Sequence, residues 1–147
     1  MKKINKYLSL IKFSHTIFAM PFALVGFFMG VFFLNQKEET GRKDLEVVSE
    51  YFAAHPGIFV FVILCMVFAR SAAMAFNRYL DRHFDAKNPR TAIREIPAGI
   101  LSAENALLFV IVNCLMFITA TYFINSICFY LSPVALFVIL FYSFTKR

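Results

Sequence analysis

Long apolar segments without charge alternate with short polar ones along this chain. Residues 17–34 form an uncharged run of 18 residues, and the runs 107–124 and 127–144 also contain no charged residue. Because about 20 apolar residues span a bilayer as a helix, the pattern predicts an all-α, multi-pass transmembrane bundle forming a single membrane domain over residues 1–147. The four predicted helices lie at about Lys12–Leu34, Pro56–Asp85, Ala103–Ile124 and Ile127–Phe144.

Prolines, glycines and one short break predict how these helices bend and pack. Residues 125–126 alone separate the last two helices, which predicts a tight antiparallel hairpin. Pro21 and Pro133 fall inside predicted spans, where we expect them to kink the helix. The spacing of Gly26 and Gly30 is a weak indication of close approach by another helix, and ordinary packing is the simpler interpretation.

Basic residues are concentrated at alternate ends of the predicted helices. Three lysines lie within the first six residues, five basic residues lie between positions 78 and 94, and the chain ends in Lys146-Arg147. The positive-inside rule therefore predicts an inner (cytoplasmic) membrane protein with its N-terminus, the loop after Asp85 and its C-terminus in the cytoplasm. The net charge of +6 is thus interpreted as membrane orientation and not as nucleic-acid binding.

The segment 35–55 is predicted to lie on the outer side of the membrane. It holds three basic and five acidic residues. We predict that its acidic part, Lys37–Glu50, is a solvated connector, with a short surface helix as the alternative.

Four polar residues recur on one face of the second predicted helix. At about 100° per residue, Arg70, Asn77, Asp81 and Asp85 fall near 0°, −20°, +20° and +60°. Arg70 lies well inside an apolar segment, where an isolated charge costs about 2.5–3.5 kcal/mol, so it is expected to face the bundle interior or water. The sequence therefore predicts a polar stripe that ends in two carboxylates.

Two interpretations of these carboxylates stay open on the residues alone. In one, Asp81 and Asp85 form local ion pairs with Arg78, Arg82 or Lys87 at the membrane interface. In the other they hold a divalent cation, since Mg²⁺ typically takes one or two carboxylates and leaves other positions to water and phosphate. A zinc site is not indicated, because no His/Cys grouping occurs and the three cysteines are far apart.

The block around these residues resembles the first acidic motif of the UbiA-type intramembrane prenyltransferases. The resemblance rests on Asn77-Arg-Tyr-Leu-Asp81-Arg-His-Phe-Asp85, on the Asn-Pro-Arg-Thr turn after it, and on Arg94-Glu-Ile-Pro97-Ala-Gly99. It extends to residues 12–22 in the first helix and 142–147 at the end of the fourth. Within the family, the chain is most similar to the 4-hydroxybenzoate polyprenyltransferases of ubiquinone or menaquinone biosynthesis.

The resemblance implies Mg²⁺-dependent transfer of a polyprenyl group from polyprenyl diphosphate to an aromatic acceptor such as 4-hydroxybenzoate. Asp81 and Asp85 would be catalytic and, with Asn77, would hold Mg²⁺. The implied diphosphate-binding residues are Arg90, Arg94 and Lys146. The implied cavity-lining residues are Lys12, His15 and Arg70.

One departure from the family pattern concerns length and a second acidic motif. Family members are expected to have about nine transmembrane helices, each of about 20 apolar residues, whereas no acidic residue follows Glu104 here. We therefore expect the N-terminal part of a longer prenyltransferase domain, inactive by itself. The alternative is a non-catalytic, truncated membrane fragment that binds lipid diphosphate or a partner chain.

Overall fold

The computed structural model describes residues 3–11, 17–36 and 44–145. Within these ranges every regular element is an α-helix and no strand is present, as the hydrophobic pattern predicts. The helices are α1 (Lys3–Leu10), α2 (Met20–Gln36), α3 (Asp44–Ala54), α4 (Pro56–Lys87), α5 (Ala103–Ile124) and α6 (Ser126–Thr145).

Prolines determine where the longest helix, α4, begins and ends. Pro56 occupies its first turn, where the missing N–H costs no hydrogen bond. At the other end Pro89 disfavours helical geometry at Asn88, whose φ of −103° and ψ of 118° are extended. The 32 residues span about 48 Å at 1.5 Å per residue, more than the roughly 30 Å hydrocarbon core. The acidic end of α4 therefore projects beyond the apolar layer.

The predicted hairpin between the last two helices is confirmed, with a break of one residue. Asn125 is extended and its Oδ1 accepts a 2.7 Å hydrogen bond from the Cys128 N–H, which caps the start of α6. The start of α5 is capped in the same way, because the Ser102 hydroxyl accepts from the Asn105 N–H at 3.2 Å. The bounds of α5 are those predicted.

The two prolines inside predicted spans have different environments. Pro133 lies within α6, and its lack of an N–H leaves the Phe129 carbonyl without its helical donor. The Ser132 hydroxyl donates to that carbonyl at 2.8 Å and so replaces the missing bond. Pro21, in contrast, is the second residue of α2 and lies in its first turn, where no kink is needed.

Small residues let α4 and α5 pack closely. Ala72 and Ala75 of α4 are fully buried in one cluster with Ala106 and Val110 of α5. Small side chains at such contacts allow backbones to approach. The end of α1 joins this cluster through Leu10 and residue 11, and the Tyr7 ring stacks on the Phe109 ring at 5.1 Å. The N-terminal helix α1 is therefore held against the end of α5 that is nearest the acidic end of α4.

The segment predicted as a solvated connector contains a helix, so the short-helix alternative is correct for residues 44–54. Its aromatic residues pack on the neighbouring helices. The Phe52 ring lies 5.4 Å from that of Phe27 in α2 and 5.1 Å from that of Phe59 in α4. This aromatic cluster buries an apolar face of α3 that a connector would expose to water.

Three described helices, α4, α5 and α6, are long and apolar enough to cross a membrane. Their outward side chains, such as Leu115 and Phe137, are exposed, as lipid contact requires. The protein is therefore membrane-embedded. The first predicted span, Lys12–Leu34, is represented by α2, which begins at Met20 and has 17 residues, about 26 Å. Residues 12–16 of that prediction lie outside the described residues. No described atom approaches a Cβ built at Gly26 or Gly30, so the close approach considered there does not occur within the described residues.

Candidate active site

The three predicted metal-binding residues occupy the last three turns of α4. Asp85 is buried, whereas Asn77 and Asp81 are half-buried. Because the helix is continuous from Pro56 to Lys87, the four-residue spacing places all three on neighbouring positions of one face. The structure thus retains the polar stripe that the spacing predicts.

The segment after α4 folds back through a turn built on Asn88. Its Oδ1 accepts from the Arg90 N–H at 3.0 Å, and its carbonyl accepts from the N–H groups of Thr91 and Ala92. The Thr91 hydroxyl donates to the Asp85 carbonyl at 3.1 Å, which ties the turn to the helix end. Gly99, at φ 70°, completes the segment in a conformation that favours glycine. We call residues 88–101 the arginine loop.

The arginine loop brings Arg94 onto Asp85. The Arg94 Nη1 donates to both carboxylate oxygens of Asp85 at 2.8 Å. The Asp85 side chain is only 9% exposed and that of Arg94 is 33% exposed, so the pair lies at the edge of the buried region. Charge-assisted hydrogen bonds of this kind are roughly twice as strong as neutral ones. The acidic face and a predicted diphosphate-binding residue therefore meet directly.

The two arginines considered as local ion-pair partners, Arg78 and Arg82, also contact other groups of the site. Arg82 donates to the Tyr79 carbonyl at 2.7 Å and its guanidinium lies 4.3 Å from the centre of the Tyr79 ring. Arg78 lies beside Glu95, with 3.7 Å between Nη1 and Oε2. The cation that binds Asp85 comes from the loop, nine residues further along the chain.

Glu95 is the site residue that sequence reasoning missed. It is the one carboxylate in the arginine loop, among basic residues, and this contrast could have indicated it from the sequence. Its Oε1 accepts a hydrogen bond from the Ser9 hydroxyl at 2.5 Å, and its Oε2 faces Arg78. Lys6 also reaches the loop, donating to the Ile100 carbonyl at 3.2 Å. The N-terminal helix thus contacts the loop at two points.

Two cavities open on different sides of α4. The first, of about 420 Å³, is mainly apolar, and the second, of about 280 Å³, is polar. Asn77 faces the first cavity and Arg78 the second, as expected for consecutive residues about 100° apart on a helix. The first is lined by Ala73, Met74, Asn77, Val138, Ile139, Tyr142 and Ser143. The second is lined by Arg78, Arg90, Thr91, Ile93, Arg94 and Glu95.

The predicted diphosphate-binding and cavity-lining residues lie in different parts of the structure. Arg90 and Arg94 line the polar cavity together. Arg70 is half-buried, lines neither of these two cavities, and has a buried Nε without a hydrogen-bond partner among the described residues. Lys12, His15 and Lys146 lie outside the described residues.

The donor atoms at the end of α4 are hard oxygens, the ligand type that Mg²⁺ prefers over the nitrogen and sulfur ligands of softer metals. Across residues 3–11, 17–36 and 44–145, no group of three or more His, Cys, Asp or Glu side chains gathers. Asp81 and Asp85 carry two carboxylates and Asn77 one amide oxygen, a donor set like that with which Mg²⁺ is held when phosphate and water complete its shell. Each Asp85 oxygen that accepts from Arg94 keeps a further lone pair. The residues present therefore fit the ion.

The fold and this site define a membrane-embedded helical bundle in which an acidic helix end faces an arginine-bearing loop. The family model described as the UbiA prenyltransferase family matches residues 47–147, which include both parts of the site. The chain belongs to this family, as the sequence resemblance predicts.

Curated relatives are named 4-hydroxybenzoate octaprenyltransferase. That of Hydrogenovibrio crunogenus is 38% identical over 90 residues, which cover 61% of this chain and 32% of the relative. That of Tolumonas auensis is 41% identical over 78 residues, 53% of this chain and 27% of the relative. That of Methylococcus capsulatus is 34% identical over 92 residues, which cover 63% of this chain and 32% of the relative. The chain thus spans about a third of the length of these relatives. No solved structure matches.

Proposed function

We propose that this chain carries the donor-binding site of an aromatic prenyltransferase, which transfers a polyprenyl group from polyprenyl diphosphate to an acceptor such as 4-hydroxybenzoate. Family membership and the name of the curated relatives support this proposal. The observation that carries it is the 2.8 Å contact between Asp85 and Arg94. It joins the acidic face and the arginine loop into one site for a metal-bound diphosphate.

Arg90 and Arg94 bind the diphosphate in this proposal. Both line the polar cavity, where Arg90 is exposed and Arg94 is a third exposed, so both side chains are accessible from solvent. A guanidinium presents five N–H donors in a planar fork that matches phosphate oxygens. Arg94 uses one nitrogen on Asp85 and keeps the others for the ligand. These donors stabilise the negative charge that develops on the leaving diphosphate.

Mg²⁺ would be held by Asn77, Asp81 and Asp85. When bound, it would neutralise negative charge on the diphosphate. The hydrogen bonds from Arg94 keep the Asp85 carboxylate in place before the ligand arrives. This matters because a preorganised site spends little binding energy on ordering its own groups.

The apolar cavity of about 420 Å³ accommodates the start of the prenyl chain. The allylic C–O bond breaks with its electron pair leaving on the diphosphate, a ring carbon of the acceptor forms the new C–C bond, and that carbon then releases its proton. Side chains such as Met74 and Val138 keep water from the allylic cation. Asn77 stands at this cavity and also belongs to the acidic face, so it connects the two parts of the site.

The charge distribution supports a cytoplasmic position for the site. The basic residues of the arginine loop lie at the same end of the bundle as Lys6, which contacts Ile100. Basic residues favour the cytoplasmic side. A soluble aromatic acid would reach the site from the cytoplasm. The lipid donor would reach it from the adjoining leaflet of the membrane.

Prenyl transfer in native membranes tests the proposed function. Because the 147-residue chain is expected to be inactive by itself, the test uses cells that express it as the N-terminal part of a full-length prenyltransferase and that lack another 4-hydroxybenzoate polyprenyltransferase. Their membranes are supplied with geranyl diphosphate, 4-hydroxybenzoate and Mg²⁺. We expect prenylated product, and loss of at least about 10²-fold in rate for Asp81→Asn. Glu104→Gln, which removes an exposed carboxylate outside the site, is the matched control. Mg²⁺-dependent diphosphate binding without product would instead favour a non-catalytic lipid-diphosphate binder.

A further inference from the structure

A second buried ion pair lies next to the Asp85–Arg94 pair. The Arg78 Nη1 and Glu95 Oε2 are 3.7 Å apart, and their side chains are only 7% and 14% exposed. Neither atom has a hydrogen-bond partner among the described residues. Removing two charges from water is costly, and the attraction between them offsets that cost only in part. Such a pair is therefore a weak source of stability, and its position suggests another role.

The two ion pairs connect the same two elements. Arg78 and Asp85 are seven residues apart, two turns of α4, and so lie on one face. Their partners, Glu95 and Arg94, are consecutive residues of the arginine loop. The loop is therefore attached to the helix at two points by adjacent side chains, and rotation of the backbone at one point would displace the other.

The N-terminal helix completes this arrangement. The Ser9 hydroxyl donates to the Glu95 oxygen that does not face Arg78, so both oxygens of this carboxylate are directed by other elements. The Glu95 carbonyl also accepts from the Leu101 N–H at 3.0 Å. Side chain and backbone of Glu95 are thus both held, and its neighbour Arg94 lines the same polar cavity.

We propose that Glu95 is a positioning residue for Arg94. Held by Arg78 and Ser9, it sets the arginine loop so that Arg94 meets Asp85 and presents its remaining N–H donors to the diphosphate. This inference rests on the proposed function for the identity of the ligand. The positioning itself is a property of the loop that can be measured without ligand.

The first measurement determines the position of the arginine loop from the distance between two spin labels. It uses double electron–electron resonance on the protein in nanodiscs. The three native cysteines are replaced by alanine, and spin labels are attached at the exposed positions Ile93 and Tyr130, which lie at opposite ends of the bundle. We expect one narrow distance distribution in the native protein and a broadened one in Glu95→Gln. The exchange Arg78→Glu with Glu95→Arg restores the attraction and is expected to narrow the distribution again. Glu104→Gln, a charge-matched change outside the loop, leaves it narrow.

The second measurement is the Kd of Mg²⁺ with geranyl diphosphate. We expect Glu95→Gln to raise it about 10-fold, the effect of misplacing one charged hydrogen-bond donor, and Glu104→Gln to change it less than 2-fold. A merely structural pair would lower the melting temperature but leave the distance distribution and the Kd of the folded protein unchanged, and that result overturns the proposal.

The proposal also stays testable if Glu95→Gln does not fold or if the native protein binds no ligand. If Glu95→Gln does not fold, Ser9→Ala removes only the exposed hydroxyl donor, and an unchanged distribution in that variant also overturns the proposal. If the native protein binds no geranyl diphosphate, the proposed function is wrong, and the label distances alone decide whether Glu95 holds the loop.

Discussion

Removing either partner of the Asp85–Arg94 pair is expected to have unequal consequences. Arg94→Gln leaves a carboxylate that is 9% exposed without its cation, whereas Asp85→Asn leaves a guanidinium that is 33% exposed and can turn to water. Truncating one partner of a buried pair costs about 3–5 kcal/mol, and exposed pairs contribute about 0–1 kcal/mol. We therefore expect Arg94→Gln to lower the free energy of unfolding by about 2–3 kcal/mol and Asp85→Asn by about 1 kcal/mol.

The pairwise energy itself follows from the geometry. Two hydrogen bonds of 2.8 Å from one charged nitrogen, at a site partly open to solvent, are worth about 1.5–3 kcal/mol together. A double-mutant cycle of Arg94→Gln and Asp85→Asn should therefore give a coupling free energy of about 2 kcal/mol. Arg90→Gln, an exposed arginine of the same loop, is the control and should change stability by less than about 0.5 kcal/mol.

The cycle is measured by reversible unfolding in mixed detergent micelles. All four proteins are compared under one set of conditions, so that differences in micelle binding cancel. Strictly additive effects, or a larger loss for Asp85→Asn than for Arg94→Gln, would refute the argument that burial of the carboxylate makes this contact important.

Three further expectations concern the fold and the orientation. Ser132→Ala should lower the free energy of unfolding by about 1 kcal/mol, because the Phe129 carbonyl loses its 2.8 Å hydroxyl donor. Ser143→Ala should cost less, because the Ser143 Oγ lies 3.5 Å from the Ile139 carbonyl. Equal losses in unfolding assays would contradict this. Gly99→Ala should cost about 1 kcal/mol because of the backbone φ of 70°, although space for the methyl group is available, and an unchanged melting temperature would argue against strain there. On a background without native cysteines, Asp44→Cys should react with an impermeant thiol reagent in intact cells and Ala92→Cys should not, whereas the reverse pattern would refute the orientation.

The sequence predicted best those elements whose limits are set by local chemistry. The bounds of α5 were correct because Ser102, a good helix cap, precedes its first residue and the charge-free apolar run 107–124 stops at Asn125. The end of α4 came two residues later than predicted, since Asn88 before Pro89 stops the helix and the last aspartate does not. The helix at Asp44–Ala54 was only an alternative, because its stability depends on aromatic contacts with α2 and α4.

The acidic face of the candidate site was predictable and its partners were not. The spacing of Asn77, Asp81 and Asp85 fixes their common face once the helix is assumed. The cation on Asp85 could not be chosen among several nearby arginines, because the path of the loop depends on the Asn88 turn and on tertiary contacts. The bond between Ser9 and Glu95 joins residues 86 apart in the chain, a distance at which spacing carries no information.

The most direct test of the central claim is equilibrium binding of geranyl diphosphate to the 147-residue chain in nanodiscs, with and without Mg²⁺. If the end of α4 and the arginine loop form the donor site, binding requires Mg²⁺, and Asp81→Asn, Asp85→Asn and Arg94→Gln each weaken it about 10-fold or more, while Glu104→Gln does not. Binding of equal strength without Mg²⁺, or in Asp81→Asn and Asp85→Asn, would contradict the account.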